Sequence, residues 1–149
     1  MIDRFLYEHS VSHQGHLIIP YVQSKMAGQS IYTYRLLSEQ GRYGTLHKFI
    51  NPSRLYSDSV EGIVAIAKEH LNRRASLPSQ PDFFKDRYTY QNHLIIVYKQ
   101  AEKYFYDHYP PTELNNIAAP KIFRSEPECL RWIKQGLDRN YPKSAIVDQ

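Results

Sequence analysis

Apolar residues follow two different rhythms along this 149-residue chain. Runs rich in Ile, Val, Tyr, Phe and Thr occupy residues 16–23 (HLIIPYVQ), 30–37 (SIYTYRLL), 42–50 (RYGTLHKFI), 93–100 (HLIIVYKQ) and 103–109 (KYFYDHY). Their length and composition predict strands. Pro20 has no N–H to give a ladder, which predicts an edge position or a bulge for the first run. Residues 24–29 read as a loop around Gly28. The short connection 38–41 (SEQG) makes a hairpin of the runs on either side of it. A shorter strand at 85–90 leads into a turn at Gln91-Asn92. Residues 1–15 give no pattern on which to place an element.

The second rhythm is helical. Val60, Ile63, Val64, Ala67 and Leu71 recur at helical spacing and predict a helix over residues 60–72, capped by Ser57, Asp58 or Ser59 and ended by Arg73 and Arg74. Leu130, Ile133 and Leu137, in a stripe widened by Cys129 and Trp132, predict another, started by Ser125 and stopped at Asn140-Tyr141-Pro142. Both apolar faces are expected to be buried on sheets. Residues 75–83 (ASLPSQPDF) hold two prolines and no period, so they read as the linker.

Residues 16–23 and 93–100 match at six of eight positions at an offset of 77, and the two helical stripes align at an offset of 66. This points to an internal repeat, with halves at about 16–74 and 85–139 within one compact unit and a loose tail at 140–149. The expected fold class is therefore α+β: antiparallel sheets with two packed helices in a tandem strand–hairpin–helix pseudo-repeat. The sheets are expected to join at their edges, placing both helices on one face.

Composition narrows the function classes. Cys129 is the only cysteine, which excludes an intramolecular disulfide framework and fits a reducing compartment. The longest apolar runs have five residues, far short of a membrane span, and residues 1–10 lack a signal-peptide core. A cytoplasmic protein with no membrane partner is expected. The formal charge of +4 divides as +3 over residues 1–79 and +1 over 80–149, so there is no basic tail. Thirteen tyrosines stand out; Tyr suits strands, half-buried cores and binding surfaces alike.

Motifs for catalysis are missing. No phosphate-binding loop, dinucleotide fingerprint, nucleophile elbow, H-E-x-x-H, S-x-x-K or E-x-K occurs. His9, His13 and His16 beside Glu8 approach a zinc spacing, but the Ser-Val-Ser between them favours extended chain, where the rings diverge. Cys129 reads as a core residue rather than a nucleophile. His93 and His108 fall on facing strands, while Asp107 points to the opposite face, so no general-base arrangement results.

Two binding classes remain. The hairpin carries Arg35, Arg42, Tyr43 and Lys48, where cations would meet phosphates and aromatic faces would stack bases. Three strands followed by a helix is a layout similar to integrase arm-type and AP2-type DNA-binding domains, so DNA or RNA is one expected partner class. The other is a protein partner or a second copy of the chain, since Tyr, Arg and Trp anchor protein interfaces. The sequence favours a non-catalytic interaction or regulatory module without a cofactor, with nucleic-acid binding as the alternative and a small enzyme with a site assembled in space as the second alternative.

Overall fold

A computed structural model describes residues 4–38, 48–50, 55–74 and 84–140. Four two-residue turns organise its strands: Gln14-Gly15, Ala27-Gly28, Gln91-Asn92 and Ala101-Glu102. Every one of these residues has φ between 49° and 78°. Two successive left-handed residues match the twist of flanking antiparallel strands. The first two turns join β1 (Val11–His13), β2 (His16–Met26) and β3 (Gln29–Ser38). The other two join β5 (Arg87–Tyr90), β6 (His93–Gln100) and β7 (Lys103–Tyr109). With β4 (Lys48–Ile50) against β3, the sheets have the orders β1-β2-β3-β4 and β5-β6-β7, antiparallel throughout. The fold is α+β, as expected.

Each sheet is followed by an isolated bridge and then a helix. Tyr32 and Ser57 exchange both backbone hydrogen bonds ahead of α1 (Val60–Arg74), and Tyr104 and Phe123 do the same ahead of α2 (Glu126–Asn140). Ser59 Oγ accepts from the Gly62 N–H, and Ser125 Oγ from the Glu128 N–H. These are N-cap bonds to the third helical residue, at equivalent places in the two halves. A Cβ at residue 62 would lie 2.3 Å from Ser57 Oγ and 2.8 Å from Ser59 Oγ, so a larger residue there must displace both hydroxyls, the capping one included.

Alternation along the strands sorts the core into three clusters. Ile18, Tyr34 and Leu36 point to one face of the first sheet and pack under Ile63, Val64, Ala67 and Leu71 of α1. Ile95, Val97 and Tyr106 point to one face of the second sheet and pack with Phe123 and with Cys129, Ile133 and Leu137 of α2. The opposite faces meet. Leu17, Ile19, Tyr21 and Leu37 share a cluster with Leu94, Ile96 and Tyr109, closed by Phe5, Tyr7, Phe84 and Leu114. The layers thus run α1, first sheet, second sheet, α2.

This corrects the expectation of edge-joined sheets with both helices on one face. Ile18-Ile19 and Ile95-Ile96 are consecutive apolar pairs, so both faces of each strand must be covered. Two layers would leave one face of each sheet wet; four cover them all.

The N-terminal segment, unassigned from the sequence, closes the inter-sheet core. Phe5 bridges Tyr21 in the first half, while its N–H bonds the Pro111 carbonyl of the second at 2.7 Å. Tyr7 Oη donates to the Pro110 carbonyl at 2.6 Å, and the Arg87 guanidinium donates to Ser10 Oγ and Ser10 O. Pro20 is not on an edge strand: β2 lies between β1 and β3. Its carbonyl accepts from the Leu6 N–H, so its missing N–H falls on that side, beyond the end of β1 and away from the β3 ladder. The bulge lies farther on, between Val22 and Ser24, and β2 continues to Met26 through much of the expected loop. The connection expected at 38–41 lies almost wholly outside the described residues, as do the 75–83 linker and the 141–149 tail. The register pairs Leu37 with Lys48.

Candidate functional site

The hairpin residues proposed from sequence do not come together. Arg35 faces Ile19, on the inter-sheet side of β3. Its guanidinium carbon lies 5.6 Å from the Phe5 ring centre and 5.7 Å from that of Tyr21, a stacked position at the margin of the core. Tyr32 and Tyr34 point the other way, beneath α1. Arg42 and Tyr43 lie outside the described residues, and Lys48 is described only through the backbone of β4.

The tyrosines are accounted for by burial. Of the eleven among the described residues, only Tyr56 is exposed. His13 and His16 face each other across the first turn; His13 Nε2 meets Asn72 Oδ1, while His9 is exposed on a short 3-10 turn. Among the described residues no three His, Cys, Asp or Glu gather as metal ligands.

The densest buried polar group lies at one end of the second sheet. His93 Nδ1 and His108 Nε2 are 2.9 Å apart, one ring donating to the other, and both residues are buried. Burial, and after it the neighbouring His93, pushes the His108 imidazole down to about 4; burial also lowers His93. Asn116 ties this pair to the following loop. Its Oδ1 accepts from the His108 and Ala118 N–H groups, and its Nδ2 donates to Asp107 Oδ1. The Ile117 N–H donates to the His108 carbonyl and the Ala119 N–H to Tyr106 Oη. Asp107 pairs with Ile96, on the face opposite the imidazoles, so it does not orient either ring. The group therefore anchors residues 116–119 along β7. Cys129, fully buried, has its thiol pushed up to about 12 by burial and by Glu126 and Glu128; it carries no thiolate at neutral pH.

That anchored loop leads to a different kind of surface. Trp132, the only tryptophan, is 38% exposed, and Ile122 and Ile117 are 56% and 51% exposed. The indole ring lies 5.7 Å from the Phe123 ring and 6.3 Å from that of Tyr106. Lys121 Nζ sits 5.5 Å from the centres of both Phe123 and Trp132. Gly136, one turn beyond Trp132, has no described residue within 4 Å of where a Cβ would stand. A glycine inside a helix costs about 1 kcal/mol against alanine. At Gly62 packing explains that cost; at Gly136 nothing among the described residues does.

From sequence, Trp132 widens an apolar stripe of Leu130, Ile133 and Leu137. Cys129, Ile133 and Leu137 are buried with Leu130 packed beside them, and Trp132 lies about 100° around the helix from Ile133, at the margin. That geometry was legible. Exposure of Ile122 also follows from alternation beside Phe123, but only once Phe123 is known to bridge Tyr104 inward. Compared with protein-family models, curated proteins and solved structures, the chain matches none.

Proposed function

We propose that this chain is a non-catalytic protein-binding module whose contact surface is the flank of α2 built around Trp132. One observation carries the reading: the sole tryptophan is 38% exposed on α2, one turn before a glycine whose Cβ position meets no described residue. Tryptophan is the residue most enriched at the energetic centres of protein interfaces, where its ring fills a partner's pocket. Phe123 and Tyr106 support the ring from behind, so it is presented in a fixed orientation and loses little freedom on binding. The hairpin-based nucleic-acid reading draws less support, since Arg35 is stacked at the margin of the core.

A photo-crosslinking amino acid placed at Gln135, exposed on the same flank, tests this in the cells from which the sequence comes. The expected result is a discrete protein adduct that is lost in the Trp132→Ala chain and absent when the crosslinker is at Glu61, exposed on α1. An adduct of twice the chain mass identifies a second copy as the partner. No adduct at Gln135 above the Glu61 control, or one untouched by the substitution, contradicts the proposal.

A further inference from the structure

On the reading that the Trp132 flank is a protein contact, we infer that its partner is an acidic segment carrying an apolar anchor. Arg131, Trp132, Gln135 and Arg139 stand at i, i+1, i+4 and i+8, and all four are exposed, so they form one solvent-facing strip of α2. Lys121 extends the strip over the indole. The charges around this strip are unevenly engaged. Each carboxylate of α2 has a hydrogen-bond donor: Glu126 accepts from Tyr88 Oη, Glu128 from the Arg124 N–H, and Asp138 from Tyr90 Oη and Gln91 Nε2. None of the five cations here (Lys121, Arg124, Arg131, Lys134 and Arg139) makes an ion pair among the described residues.

Hydrogen bonds from neutral donors leave these carboxylates charged, so the five cations against Glu126, Glu128 and Asp138 give the surface a net charge of +2 around an aromatic anchor. Carboxylates on a partner would complement it, while the exposed part of the indole and the space beside Gly136 would take an apolar side chain. A nucleic acid fits less well. The strip offers one aromatic ring and few cations, where single-strand binding uses successive stacking faces along a charged groove.

The probe is a random sixteen-residue peptide library displayed on phage, panned against the full chain with the Trp132→Ala chain as counter-selection. The inference expects enriched sequences of net negative charge with an aromatic or branched aliphatic residue. The Arg131→Gln/Arg139→Gln chain should then bind an enriched peptide about fivefold more weakly at low salt, with the difference shrinking as salt rises. Enrichment of neutral or basic peptides that still require Trp132 overturns the acidic partner and leaves the interface standing. No enrichment over the counter-selection overturns both. Binding of a single-stranded oligonucleotide that Trp132→Ala abolishes overturns the inference in favour of nucleic acid.

Discussion

His93 and His108 share one hydrogen bond in a buried site, and the burial of these two imidazoles couples the fold to pH. The folded state holds the His108 imidazole down to about 4, against an ordinary value of 6.5, so between these pH values the unfolded chain binds a proton that the folded chain refuses. Stability is therefore full above about pH 6.5 and falls as pH drops through this window, by about 2–3 kcal/mol from this residue. Urea unfolding across pH 4–7 checks this. The His93→Gln/His108→Gln chain is expected to show a flatter slope than wild type; an identical slope contradicts the assignment. The pairing was legible from sequence, because both residues lie on neighbouring strands of correct alternation. Their burial was not, since it depends on the loop that Asn116 ties over β7.

At the level of elements, local chemistry made most of the second half readable. β6 and β7 coincide with their expected bounds, and α2 follows Ser125 and ends at Asn140. The first half was harder for identifiable reasons. β1 has three residues, too few for a period, and the Ala27-Gly28 turn lies deep in a polar stretch that resembled a loop. The offsets of 77 and 66 acquire a physical basis here. Of the eleven residues between them, three separate the turn-to-turn lengths of β2 and β6. The other eight lie between the hairpin turn and the bridge, where the first half adds β4. Of the candidate hairpin site, the split across β3 was legible: alternation puts Tyr32 and Tyr34 on one face and Arg35 on the other, and the structure keeps them apart.

For the whole molecule, the inter-sheet core is what makes two similar halves interdependent. Leu17, Ile19 and Tyr21 of one half and Leu94, Ile96 and Tyr109 of the other exclude water from the same space. Such a face cannot be exposed alone without losing roughly 25 cal/mol per Å² of apolar burial. Ile96→Ala, at a fully buried position, is expected to cost about 2–5 kcal/mol. Hydrogen exchange should show α1 losing protection together with α2, although Ile96 lies in the half that carries α2. Loss confined to α2 contradicts a shared core. Sequence alone could not choose between edge-joined and stacked sheets from strand patterns taken one at a time. The decisive signal was the pair of consecutive isoleucines in each central strand.

The central claim is that the Trp132 flank is kept open for a partner at the expense of helix stability, and Gly136→Gln tests it most directly. Glutamine is a better helix former than glycine, and the space at residue 136 admits a side chain. The account predicts a chain more stable by roughly 0.5–1 kcal/mol in thermal unfolding, with the adduct at Gln135 strongly reduced. A stabilised chain that cross-links as well as wild type would contradict it, because the open space beside the indole would then have no occupant.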